Sequence, residues 1–249
     1  MGDDQAVAPA LAGQNIAMDC GEPKIDDVMR ILAERRPEHG IFVVGVTGSV
    51  AAGKTTFAAA LAQAMEIYPD RPRVEIVCTD GFLFANAVLE ERNLMARKGF
   101  PKSYDTTALR CALEGIRRGP VAFPGYSHAR YDVDPDLRRW VSPPDILLVE
   151  GLGLNRNRAD GRSLLDVLIY LDADESDIED WFTSRFLDYC AGARSDGDSF
   201  YARFNHLGPT EVRAFAASVW REINLANLRQ HILPIRDYAD IVVKKGGDH

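Results

Sequence analysis

Residues 44–61 read VGVTGSVAAGKTTFAAAL, passing from apolar β-formers through a glycine-bearing turn into an alanine-rich helical segment. Within it, Gly48, Ser49, Val50, Ala51, Ala52, Gly53, Lys54 and Thr55 match the pattern G-x-x-x-x-G-K-S/T, and Thr56 follows. Glycines at both ends of such a turn let backbone N–H groups wrap an anion with no Cβ in the way. The helix that follows presents its N-terminal dipole to the same anion. Lys54 is placed to reach the β- and γ-phosphates of a nucleotide, and the Thr55 hydroxyl to bind Mg²⁺. Gly48 through Thr56 therefore read as a nucleotide-phosphate cradle.

The flanking sequence supplies the strand and helix that this motif requires. IFVVGV (41–46) is a buried strand, and Lys54–Met65 is the helix after the turn. Upstream, PKIDDVMRILAERR (23–36) carries Ile25, Val28, Met29 and Leu32 on one helical face, ended by Pro37 and Gly40. Downstream, RVEIVCTD, DILLVEG, LLDVLIYLDA and ADIVVKK read as strands. Between them AVLEERNLM, TTALRCALEGIRRG, ESDIEDWFTSRFLDYC and PTEVRAFAASVWREINLANLRQHI read as helical, with Leu109, Leu113 and Ile116 at helical spacing. Nearly unbroken apolar strands separated by helices predict an α/β fold, a parallel β-sheet flanked by helices on both faces. Residues 1–22 lack periodicity and are expected to be a loose tail, with 23–249 as one domain.

Composition narrows the function classes. The 249 residues are 46 % hydrophobic and 27 % charged, as in a soluble enzyme, and no apolar run approaches a membrane span. The net charge of −8 disfavours nucleic acid as a partner, because an acidic surface repels phosphate backbones; a small anionic ligand answers to local dipoles instead. Cys20, Cys78, Cys111 and Cys190 are scattered without metal-ligand spacing, and the N-terminus lacks a signal peptide, so reduced thiols and a cytoplasmic location are expected.

Two strand ends carry the remaining chemistry. VEIVCTD ends at Asp80 and DILLVEG at Glu150, each followed by glycine. Ligands of parallel sheets bind at the carboxyl ends of strands, so both carboxylates are expected beside the cradle. Phosphoryl transfer to an alcohol needs one carboxylate to orient the hydroxyl and accept its proton, and another near Mg²⁺. Asp80 suits the first role and Glu150 the second.

The stretches GSVAAGKTT, TDGFLFANAVLEERNLMARKGFPKSYD, YSHARYDV, PDILLVEG, WFTSRF and WREINLANLRQHILP together resemble the bacterial type I pantothenate kinases, P-loop kinases related to uridine kinase and phosphoribulokinase. The resemblance implies ATP- and Mg²⁺-dependent phosphorylation of the primary hydroxyl of pantothenate, the first step toward coenzyme A. Asp80 then corresponds to the base, and Tyr126, His128 and Tyr131 to polar residues of the acceptor or coenzyme A pocket. Arg185 corresponds to an arginine that stabilises the transferring phosphate, and Asn227 to a pantothenate contact. The polar, aromatic stretch PGYSHARYD is expected as a loop, and RSDGDSFYARF (194–204) as a closing lid. A homodimer is expected because related kinases are often dimers.

The departures from that family gather around acceptor and regulator. Phe182 stands where the family carries a tyrosine that touches pantothenate, Ala59 replaces an arginine tied to coenzyme A feedback, Arg194 replaces an aromatic pocket residue and Leu225 a tryptophan.

Overall fold

The computed structural model describes residues 14–16, 25–154 and 164–246. Seven helices and eight strands organise them: β1 Gln14–Ile16, α1 Ile25–Arg35, β2 Phe42–Gly48, α2 Lys54–Met65, β3 Val74–Cys78, α3 Asn86–Glu91, α4 Thr106–Gly115, β4 Val121–Ser127, β5 Asp132–Val141, β6 Ile146–Glu150, β7 Val167–Asp172, α5 Glu175–Gly192, α6 Pro209–Val219, α7 Leu225–Asn227 and β8 Ile241–Lys244. Six strands form one parallel sheet in the order β1-β8-β7-β2-β6-β3. The remainder of the expected tail, 1–13 and 17–22, lies outside the described residues, whereas Gln14–Ile16 pairs in parallel with Ile241–Val243.

Every residue of β2 and β6 is buried, which is why both segments read as continuous apolar runs. On one face, Val44, Val46, Ile146 and Leu148 pack against Val28 and Leu32 of α1 and Phe57, Leu61 and Met65 of α2. On the other, Val43, Leu147, Val149 and Leu168 pack against Leu109 and Leu113 of α4, Phe182 of α5 and Trp220. Alternate residues of one strand thus feed opposite cores.

The last helical stretch is one run of turns with two local widenings. Helix α6 passes into π-type turns at Trp220–Asn224 and Leu228–Ile232, with α7 between them. Such wider turns shift the side-chain phase of a helix and often mark functional positions. Here they surround Asn227, which is buried.

The loop expected at 124–132 is instead part of an antiparallel hairpin. Strand β4 pairs with β5, with a register shift between Phe123 and Gly125 and a tight turn across His128–Tyr131. Proline and glycine at 124 and 125 mask the strand pattern in the sequence, and the bulge they form is what lets the hairpin bend. Gly81 holds the hairpin close to the sheet, because a Cβ there would overlap the Pro124 carbonyl.

Strand β6 has no slack on either face, since Leu148 is fully buried. Leu148→Ala is expected to destabilise the protein by about 2–5 kcal/mol through lost transfer energy and a residual cavity. Urea denaturation followed by circular dichroism measures this; a loss below 1 kcal/mol would contradict the packing described.

Candidate active site

The cradle forms where β2 ends at the middle of the sheet. Ala51 and Gly53 both adopt left-handed backbone conformations, with φ of 64° and 77°. Gly53 is the N-cap of α2, and this helix has neither a side-chain cap nor an acidic residue in its first turn. Its leading N–H groups thus face the loop without a cap from the helix's own side chains. The Ser49 hydroxyl is buried and makes no hydrogen bond among the described residues. An uncapped helix end, an orphaned buried hydroxyl and a lysine fit the phosphates of a nucleotide.

Lys54 Nζ donates to the carbonyls of Ser49 (2.7 Å) and Gly48 (3.4 Å). Burial lowers its pKa, the carboxylates of Glu150 and Asp80 pull it back up, and Arg185 lowers it again. Thr55 Oγ1 donates to Glu150 Oε1 at 2.8 Å. The cross-strand register explains this meeting, as Glu150 on β6 lies level with Val46 on β2 and Cys78 on β3. A hydroxyl and a buried carboxylate in contact are a hard-oxygen pair of the kind Mg²⁺ takes alongside substrate phosphates and water.

Asp80 sits in the 3-10 turn Thr79–Phe82 at the end of β3 and opens onto a cavity of about 450 Å³. The cavity is also lined by Tyr126, His128, Tyr131, Phe182, Arg185 and Asn227, so every acceptor-side residue expected from the sequence meets in one space. Tyr126 and His128 are edge to face at 5.2 Å, and His128 stacks on Tyr189 at 6.2 Å. Burial lowers the His128 pKa, with Asp80 raising it and Arg185 lowering it, which favours a neutral imidazole at pH 7. Asn227 Nδ2 donates to the Gly99 carbonyl at 2.9 Å, while its Oδ1 is buried with no partner among the described residues. That oxygen is an acceptor for a ligand's O–H or N–H.

Several residues of the site were not singled out in the sequence. Tyr104 donates from its hydroxyl to Asp80 Oδ1 at 3.3 Å, and burial and the Asp80 charge raise its pKa well above the usual phenol value. Lys98 Nζ donates to Asn86 Oδ1 (2.6 Å) and the Tyr131 carbonyl (2.5 Å), and lies 4.3 Å over the Tyr131 ring. These bonds hold Tyr131 in a left-handed conformation (φ 54°) that its bulk disfavours. Both Lys98 and Tyr104 belong to RKGFPKSYD, whose pattern was distinctive before any role attached to it. Lys245 Nζ donates to the Ala52 carbonyl at 3.2 Å and stands 5.3 Å over the Trp181 ring, tying β8 to the cradle.

The segment expected as a lid divides in two. Phe200, Tyr201, Arg203 and Phe204 line the cavity, and Phe200 N–H donates to the Ala129 carbonyl of the hairpin turn at 2.8 Å. Arg194 is exposed and is not among the cavity-lining residues. Phe182 is buried in the cavity wall beside Trp220 (6.0 Å) and Phe186 (6.2 Å), whereas Ala59 is exposed on α2.

Residues 43–181 match the model of the Phosphoribulokinase / Uridine kinase family, more than half of the chain and all of the nucleotide cradle. The chain belongs to this family. Within it, a pantothenate kinase of Rhizobium rhizogenes is 44 % identical over 219 residues, covering 84 % of this chain and 66 % of the relative. A pantothenate kinase of Sorangium cellulosum is 44 % identical over 222 residues, covering 86 % and 71 %. The chain thus spans just under two thirds of the length of the first of these relatives. Among solved structures, a Silicibacter protein named for a fructose transport system kinase superposes with a TM-score of 0.72 at 24 % identity, covering 88 % of this chain and 98 % of that one. D-glycerate 3-kinase of Cryptococcus neoformans does so with a TM-score of 0.52 at 16 % identity, covering 84 % and 90 %. At those identities the structures establish the fold, a kinase-type parallel sheet with the cradle after its central strand.

Burial lowers the Lys98 pKa to about 8, against the raising effect of Asp132 and Asp80. An unfolded lysine titrates near 10.4, so between about pH 8 and 10.4 the unfolded chain binds more protons than the folded one and stability rises with pH. Urea denaturation of wild type and Lys98→Met at pH 7.5, 9 and 10 is expected to show the difference moving by about 1–3 kcal/mol in favour of wild type as pH rises. A difference that stays constant with pH would mean that Lys98 is not depressed.

Proposed function

We propose that this chain is an ATP-dependent kinase that transfers the γ-phosphoryl group to the primary hydroxyl of pantothenate. The observation that carries the reading is the convergence of the phosphate cradle, Asp80 and Glu150 at one sheet edge, opening onto the cavity that holds His128, Arg185 and Asn227. Relatives named pantothenate kinase, 44 % identical over most of the chain, support this choice of acceptor. The enzyme is taken to be a cytoplasmic homodimer that acts on a small molecule and not on nucleic acid. Among the described residues, no helix is long and apolar enough to cross a membrane.

In this mechanism the cradle N–H groups and Lys54 hold the β- and γ-phosphates, and Thr55 and Glu150 hold Mg²⁺. The metal, when bound, neutralises charge on the phosphate oxygens. Asp80 aligns the acceptor hydroxyl and takes its proton as the new O–P bond forms and the bond to ADP breaks. Tyr104, hydrogen-bonded to Asp80 Oδ1, fixes the carboxylate so that its other oxygen faces the acceptor. Lys54 and Arg185 stabilise charge on the group in transit. Asn227 Oδ1 and the Tyr126–His128–Tyr131 wall orient the rest of the acceptor, and the Phe200–Phe204 turn excludes water from the far side.

Asp80→Asn is expected to leave ATP affinity within about twofold and to cut kcat by roughly 10²–10⁴, the share of a positioned base. A coupled ADP-release assay with calorimetric ATP binding measures both; near-normal turnover removes Asp80 from the mechanism.

Phe182→Tyr adds a hydroxyl to the cavity wall and is expected to lower the pantothenate KM by up to about tenfold, the value of one neutral hydrogen bond. Assays against pantothenate, uridine and simple sugars form the test of acceptor. A wild type that ignores pantothenate, with no rescue by the tyrosine, moves the assignment to another hydroxyl compound.

A further inference from the structure

The cavity is lined by more positive than negative charge, although the chain as a whole carries −8. Among the described residues that line it, Asp80 is the one carboxylate, against Lys98, Arg185 and Arg203. Lys98 is held by Asn86 and the Tyr131 carbonyl, and Arg185 faces the group in transit in the mechanism above. Arg203 has no task in that mechanism.

Arg203 is exposed, so it stands on the solvent side of the cavity, within the Phe200–Phe204 turn. Its Nε donates to the Phe200 carbonyl at 3.0 Å, and its guanidinium carbon lies 3.8 Å from the centroid of the Phe200 ring. That ring lies 4.5 Å from Tyr131, whose other neighbour is the Lys98 ammonium at 4.3 Å. One wall of the cavity therefore runs cation, ring, ring, cation. The stack and the Nε bond hold the guanidinium in place, while its two Nη groups make no hydrogen bond or ion pair among the described residues. A guanidinium fixed in this way offers a planar fork that matches a carboxylate, and little side-chain freedom remains to be lost on binding.

We propose that Arg203 is a specificity-determining residue of the acceptor site, binding through its Nη groups a carboxylate at the end of the acceptor remote from the hydroxyl that Asp80 receives. The proposal rests on the kinase reading above and narrows its acceptor to a hydroxy acid, the class to which pantothenate belongs, as against a neutral nucleoside or sugar. Phe182, Phe186, Phe204 and Phe215 line the same cavity and supply an apolar surface for the segment between the two polar ends. Phenylalanine at 182 brings no donor to that surface, so recognition of a negative charge falls to a cation on another element. Arg203 is the cavity cation left without a partner for it.

The test pairs pantothenate with pantothenyl alcohol, which carries CH₂OH in place of the carboxylate. Wild type, Arg203→Gln and Arg203→Lys are compared by calorimetric binding, with the enzyme saturated by Mg²⁺ and a non-hydrolysable ATP analogue, and by steady-state assay. In Arg203→Gln the pantothenate Kd and KM are expected to rise about five- to thirtyfold with kcat within about twofold, the range for a charge-assisted contact partly screened by solvent. Pantothenyl alcohol is expected to bind wild type and Arg203→Gln within about twofold of each other. Arg203→Lys, which keeps the charge and loses the fork, is expected to fall between them on pantothenate. Added salt is expected to weaken pantothenate binding in wild type more than in Arg203→Gln. Equal loss for the two ligands overturns the proposal, because it reports packing on Phe200 and not charge. No loss for either overturns it as well. So does a wild type that binds neither ligand, or one that phosphorylates only neutral hydroxyl compounds, and this last outcome leaves the kinase reading standing. A wild type that shows the expected binding difference yet phosphorylates nothing sinks the kinase reading and leaves the carboxylate contact in place.

Discussion

Strand β6, buried on both faces between β2 and β3, is the constraint on which the site depends. Parallel neighbours must keep one register along their length, and that register sets Glu150 level with Val46 and Cys78. A slip of one residue would turn Leu147 and Val149 from one core to the other and exchange them with Leu148, at a cost no loop could repay. The apolar residues of β6 therefore fix where a carboxylate emerges, and the Thr55 hydroxyl meets it at 2.8 Å because β2 hands its chain to α2 at the same level. Packing far from any ligand sets the geometry of the polar edge.

The cavity beyond that edge is built on a different principle. Its walls come from segments of no common element: the 3-10 turn at Asp80, the β4–β5 hairpin, helix α5, the Phe200–Phe204 turn and the π-widened helix at Asn227. Aromatic rings join them, with Tyr131 4.5 Å from Phe200, Tyr189 4.9 Å from Tyr201 and Phe186 5.5 Å from Tyr201. Rigid rings bury much area with little loss of side-chain entropy, so a pocket assembled from turns stays open and shaped. Lys98 threads this wall. Desolvation of its ammonium group costs energy, which is offset by two short hydrogen bonds and the π-faces of Tyr126 and Tyr131. The left-handed Tyr131 is the visible consequence.

The two halves are built from different residue types. The cradle, Asp80 and Glu150 keep the residue types that phosphate chemistry demands. The cavity wall is largely aromatic, as at Phe182, which packs on Trp220 and Phe186. The cradle is constrained by its backbone instead: Gly53 holds φ at 77°, a conformation that residues with a Cβ rarely adopt.

The sheet, its parallel sense and the cradle were legible in the amino-acid sequence. Each depends on local pattern: unbroken apolar runs in IFVVGV and DILLVEG, the helical phase of Leu109 and Leu113, and the spacing of Gly48, Gly53 and Lys54. The standing of Asp80 and Glu150 at one edge was legible too, because strand ends in a parallel sheet share a side. The hairpin at 121–141 was hidden, since Pro124 and Gly125 erase the alternation of a strand and its pairing, from Ser127 with Asp132 out to Val121 with Val141, shows only in the fold. The roles of Lys98, Tyr104 and Lys245 were likewise decided by tertiary structure. Their partners are distant in the chain: Tyr131 for Lys98, Asp80 for Tyr104, Ala52 for Lys245. A motif records spacing along one backbone; a hydrogen bond between two segments exists only after the core has brought them together.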